Sequence, residues 1–187
     1  MDAAASCALR GALKGAPAFE GPGIRVTFRE NLRAVRGKLR TGDRARRTTH
    51  GLEVHAATFM RKRRMVLDRA LLRKPDELRR ILIHELFHFA WARLGNARRA
   101  GYEAVVRREM EERARGELGW SAEMRKRRLP AREGRCWREY VCESFCDTGA
   151  WLYAGVKRHD EYTLAARFRK RRVAWFAQAF GGGAVRI

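Results

Sequence analysis

Long apolar runs are missing from this chain. No stretch approaches the roughly 20 apolar residues that a bilayer-spanning helix needs. Arg10 and Lys14 interrupt the Ala-rich amino-terminal segment, so no secretory signal is expected there. Cysteine is scarce as well. The four present in 187 residues, Cys7, Cys136, Cys142 and Cys146, are too few for a disulfide framework in a chain of this length. A cytoplasmic, reducing setting is therefore expected. Acidic residues are outnumbered, 21 against 42 Lys and Arg, for a formal net charge of +21. Such an excess attracts nucleic acid or anionic surfaces. The basic residues are nevertheless scattered along the whole chain, which is equally the pattern of a solvated surface. Non-specific nucleic-acid contact stands beside that plainer reading, and nothing in the sequence fixes an oligomeric state.

What is present suffices for a core, since 45% of the residues are hydrophobic. Residues 1–23, rich in Ala, Gly and Pro, are expected as a loose leader before one domain over 24–187. Ile24 to Phe28 alternates apolar and polar with the period of a strand. Gly51–Phe59 and Met65–Leu71 have strand character too and are able to pair as a hairpin across the polar break at 61–64. Arg40–His50 reads as a loop. Pro75 changes the period: it opens a helix expected to run to Leu94, with Asp76 and Glu77 where the helix dipole favours negative charge. Further helices are expected over 98–118, 120–128, 136–154 and 159–180. The expected class is α+β: a small antiparallel or mixed amino-terminal sheet on the 75–94 helix, followed by a helical bundle.

That helix contains His84-Glu85-Leu86-Phe87-His88. Positions i and i+4 share a helix face, so His84 and His88 can bind one metal ion together. Zinc suits a pair of neutral imidazoles. Glu85, one position along, can reach a water on the ion without ligating it, and is the expected general base. Two histidines merely packed in an apolar helix is the plainer alternative. It leaves unexplained a charged Glu set among Ile81, Leu82, Ile83, Leu86, Phe87 and Phe89. A catalytic zinc usually takes three protein ligands and keeps an open position. Glu143 and Asp147, again i and i+4, lie on a second apolar helix. Glu143 is expected as the third ligand, and Asp147 as the acceptor that orients a ligand imidazole. His159 is a weaker third-ligand candidate.

The pair of motifs, His84-Glu85-x-x-His88 and Glu143-x-x-x-Asp147, resembles the gluzincin class of zinc metallopeptidases. The resemblance implies zinc on His84, His88 and Glu143, general-base work by Glu85, support of a histidine by Asp147, and an extended polypeptide substrate held along an edge strand. Tyr140, one turn before Glu143, is a candidate oxyanion donor. A rival set is open: Cys142 and Cys146 are also i and i+4, and with His84 and His88 they would close a structural zinc site with no hydrolytic function. A zinc-stabilised basic module docking on nucleic acid would follow. The segment Arg167–Arg172 (Arg167, Arg169, Lys170, Arg171, Arg172), beside Phe168, Trp175 and Phe176, suits such docking. It suits equally an amphipathic helix burying its apolar stripe.

Overall fold

The computed structural model describes residues 3–47 and 50–187. Its architecture is α+β, with small sheets in the amino-terminal part and helices after them. The strand β1 (Phe19–Glu20) pairs in parallel with the carboxy-terminal β8 (Val185–Arg186). The central sheet has the order β2 (Arg25–Arg29), β7 (Arg64–Asp68), β6 (Ala56–Phe59). Its middle strand, β7, is the one whose Met65, Val66, Leu67 and Asp68 are all buried, as a strand covered on both faces requires. β2 joins it in parallel and β6 antiparallel, the latter by a hairpin that turns through the short helix Met60–Lys62. A third sheet, β4 (Lys38–Arg40), β3 (Arg33–Val35), β5 (Leu52–Glu53), and the single-turn α2 (Asp43–Arg46) occupy the region between.

The leader expected over residues 1–23 takes a different form. Ala3–Ala12 is a helix, α1, whose Ala5 and Ala12 are buried. Alanine has the highest helix propensity, and its small side chain lets this helix lie close on α3 (Pro75–Arg93). The loop expected at 40–50 contains α2, apart from Thr48 and Thr49, which lie outside the described residues.

α3 begins as its sequence dictates, with Pro75 in the first turn and Asp76 and Glu77 behind it. Its Leu78, Leu82, Ile83, Leu86, Phe87 and Phe89 are buried. α4 (Asn96–Glu111) and α5 (Trp120–Arg127) follow, then α6 (Gly134–Tyr153) and α7 (Ala166–Phe180). The closest partner of α3 is α6. Phe87 packs against Phe145 at 5.6 Å and stacks on Tyr153 at 5.7 Å between ring centroids. Gly149 permits this approach: a Cβ there would lie 2.6 Å from the Phe87 ring. The absence of one methyl group thus sets the separation of the two helices that carry the candidate ligands.

α7 begins later than its sequence pattern suggests, at Ala166. Residues 159–163 are instead held by side chains, with His159 Nε2 2.6 Å from Glu77 Oε1 and Glu161 paired with Arg80 at 2.6 Å. Phe168 and Phe176 are buried, as the amphipathic reading expected. Arg172 is not solvated. It is fully enclosed, paired with Glu109 at 2.6 Å and Glu117 at 2.8 Å, both themselves buried.

Candidate metal centre

The close crossing of α3 and α6 brings His84, His88, Cys142, Glu143, Cys146 and Asp147 to one place. His84 is gripped on both edges. Its Nδ1 lies 2.7 Å from Asp147 Oδ1, and its Nε2 lies 3.2 Å from Glu143 Oε2. The same Oε2 is 3.9 Å from His88 Nε2. One carboxylate oxygen thus lies within 4 Å of a nitrogen of each imidazole. Ligands about 2.0–2.1 Å from a tetrahedral zinc lie about 3.3 Å from one another; the 3.2 Å separation matches this spacing and the 3.9 Å one exceeds it. Asp147 occupies Nδ1 of His84, so Nε2 is the nitrogen left to a metal ion.

The sulfurs approach His88 from its other edge. Cys146 Sγ lies 3.4 Å and Cys142 Sγ 3.7 Å from Nδ1. His84, His88 and Cys146 bring ligand atoms within 4.8 Å of one another, and this group could hold a metal ion. Two donor sets thus share the histidines. A cation between both Nε2 atoms meets Glu143; one on Nδ1 of His88 meets the sulfurs. The first set leaves Nδ1 of His84 with Asp147; the second contains the group whose ligand atoms all fall within 4.8 Å of one another.

The electrostatics favour positive charge here. Burial alone would push the His84 imidazolium down, but Asp147 and Glu143 outweigh it and hold its pKa well above 6.5. Burial likewise opposes the charge on His88, and Cys142, Glu143 and Glu85 reverse it, leaving that pKa raised. Burial would raise Glu143, yet the hydrogen bond with His84 and the charges of His88 and Arg125 bring it to about 2. Protons and a metal ion compete for the same nitrogens. Because the imidazole pKa values are raised, protons compete at higher pH than at ordinary histidines. Zinc affinity, followed by chelator competition, is expected to fall steadily as the pH is lowered, beginning above 6.5.

Glu85 lies beside this cluster. The Thr58 hydroxyl, on the edge strand β6, donates to its Oε2 at 2.5 Å. Glu85 and His84 also line a cleft of about 350 Å³, together with Ala56 of that strand. At the cleft rim stand Leu52 and Trp120, 52% and 46% exposed, the two most exposed large apolar side chains among the described residues.

Helix α5, expected over 120–128, braces the site, a role its sequence pattern does not reveal. Its Arg125 pairs with Glu143 Oε1 at 3.0 Å, leaving Oε2 to face the imidazoles. The Ala122 N–H donates to Asp147 Oδ2 at 2.9 Å, so Asp147 caps α5 while orienting His84. Arg125 stands in the unbroken run Arg125-Lys126-Arg127-Arg128, where nothing in the pattern distinguishes it from the other basic residues. Gly119 makes room for this bridge: a Cβ there would lie 2.2–2.5 Å from the Asp147 carboxylate. Its φ of −178° is open to any residue. Gly119→Ala is therefore expected to displace Asp147 without straining the backbone, lowering zinc affinity about 10–100-fold, the usual cost of losing an outer-sphere partner. Unchanged affinity in a chelator titration would refute that role for Asp147.

Tyr140 is not brought to the centre. It is fully buried and donates to Glu117 Oε1 at 2.5 Å. It lies about one turn before Glu143 on the same side of α6, and Glu117 takes up its hydroxyl there. Burial and then Glu117 hold its pKa well above 10, so it serves as a hydrogen-bond donor within the core and not to an oxyanion. His159, bonded to Glu77, is likewise away from the imidazoles. All four cysteines are free thiols.

No protein-family model, curated protein or solved structure matches this chain. The geometry therefore carries the functional reading alone. Among the described residues, no helix is long and apolar enough to cross a membrane.

Proposed function

We propose that the chain is a zinc-dependent metallopeptidase of gluzincin type, with His84, His88 and Glu143 as ligands of one ion and Glu85 as general base. The observation that carries this reading is the position of Glu143 Oε2, 3.2 Å and 3.9 Å from the two Nε2 atoms. The ion, when bound, supplies the Lewis acidity that activates water and polarises a carbonyl. The remaining work falls to the chain. Glu85, its Oε2 held by Thr58, accepts the proton of the attacking water and delivers it to the departing amine. Asp147 keeps His84 in register. Arg125 neutralises the outer oxygen of Glu143.

The cleft suits an extended polypeptide. β6 is an edge strand, paired on one side only, and Ala56 in it faces the cleft. Its unpaired backbone groups can add a substrate strand. Exposed Leu52 and Trp120 at the rim favour a substrate with a bulky apolar side chain near the scissile bond.

The second reading is a structural zinc on His84, His88, Cys142 and Cys146 in a basic module that docks on nucleic acid. The proximity of both sulfurs to His88 favours it. Metal analysis of purified variants separates the two. Under the peptidase reading, Glu143→Gln is expected to weaken zinc binding by more than the roughly 10–100-fold of an outer-sphere loss, while the double variant Cys142→Ser/Cys146→Ser retains the ion. The opposite pattern, together with DNA binding that weakens steeply with salt, would establish the second reading.

A further inference from the structure

A cavity of about 390 Å³ that shares no lining residue with the metal cluster is bounded by Arg93, Arg98 and Arg186, over an apolar floor that includes Leu94, Ala179 and Phe180. Its lining includes no acidic residue. The three arginines are exposed, and none of their side chains makes a hydrogen bond or ion pair among the described residues. Glu20, the cross-strand neighbour of Arg186, lines an adjoining hollow that Arg93 and Arg186 also border.

The placement of Arg98 is unfavourable for the fold by itself. It is the third residue of α4, a helix of 16 residues that begins with no acidic residue in its first turn and no side-chain cap. A cation at the positive end of a helix dipole is destabilising, and an anion there is stabilising. The adjacent Arg99 shows what a structural role looks like at this junction. It donates to the last carbonyls of α3, Trp91 O at 3.0 Å and Ala92 O at 2.7 Å. Arg98 has no comparable task, and it faces a concave surface with two more guanidinium groups.

We infer that this cavity binds an organic phosphate, its phosphoryl group held by Arg93, Arg98 and Arg186 at the amino end of α4 and its apolar body resting on Leu94, Ala179 and Phe180. Planar guanidinium groups match phosphate oxygens in pairs, and the apolar floor prefers an esterified phosphate to the free ion. The inference is independent of the peptidase reading.

Phenyl phosphate and inorganic phosphate are the probes, titrated calorimetrically at constant ionic strength. Phenyl phosphate is expected to bind the full-length protein more tightly than inorganic phosphate. Arg98→Gln/Arg186→Gln is expected to weaken it by at least about tenfold, the scale of a lost charge-assisted hydrogen bond. Ala179→Leu keeps every charge and fills the floor; it is expected to weaken phenyl phosphate while sparing inorganic phosphate. Arg128→Gln/Arg135→Gln, just after α5 and on α6, is expected to change neither. Equal binding by wild type and by the Arg98/Arg186 variant would overturn the inference. So would equal loss in the Arg128/Arg135 control, which would mark a general effect of net charge.

Discussion

Glu85→Gln is expected to lower peptide turnover by about 10²–10⁴-fold while zinc remains bound at the wild-type stoichiometry. The magnitude is that of removing a positioned general base. The substitution is nearly isosteric, and the amide oxygen can still accept from Thr58, whose hydroxyl lies 2.5 Å from Glu85 Oε2. Neither the packing of α3 nor the donor set on His84, His88 and Glu143 is altered. The comparison requires only a fluorescence-quenched peptide pool containing bulky apolar residues, together with zinc analysis of both proteins. Unimpaired turnover in the variant would refute the assignment of Glu85. Loss of the metal along with the activity would place Glu85 in the binding of the ion and not in proton transfer. Failure of zinc-loaded wild-type protein to cleave any member of the pool would count against a peptidase altogether.

The parts of this centre visible in the sequence are those carried by helical spacing. His84 and His88, and Glu143 and Asp147, each recur at i and i+4, and that interval places both residues of a pair on one face whatever the tertiary context. The same periodicity gave α3 and α6 to within one or two residues of their observed bounds. What spacing does not encode is which side chain a neighbouring element presents. Arg125 and Thr58 reach the centre from α5 and β6, and neither has a local pattern that separates it from solvated neighbours. Tyr140 failed for the converse reason. Spacing puts it on the face of Glu143, but Glu117, from the segment before α5, claims its hydroxyl. Gly119 and Gly149 act through what they lack, and a missing methyl group leaves no periodic trace.

Arg172 was the least legible residue, and its removal is expected to have the largest effect on stability. Within Arg169-Lys170-Arg171-Arg172 it reads as one more surface cation. It occupies the buried side of α7, where the apolar stripe of Phe168 and Phe176 continues. Its Nε and Nη2 hold Glu109, and its Nη1 holds Glu117 and the Thr148 hydroxyl. Glu117 has further partners in Lys126 and Tyr140, whereas Glu109 depends on Arg172. Burial raises the Glu117 pKa on its own, and Arg172 with Lys126 reverses this, holding it below the ordinary carboxylate value. Arg172→Met leaves Glu109 charged in an apolar interior. Breaking one side of a buried pair costs about 3–5 kcal/mol, which for a chain of this size corresponds to a fall in Tm of roughly 6–20 °C. If the cost lies in the stranded carboxylate, removing it should restore stability: the double variant Arg172→Met/Glu109→Met is expected to be more stable than Arg172→Met alone, with a favourable coupling energy in urea denaturation. A double variant no more stable than the single one would mean that the network contributes by packing α7 against α4 and α6, and that its charges are incidental.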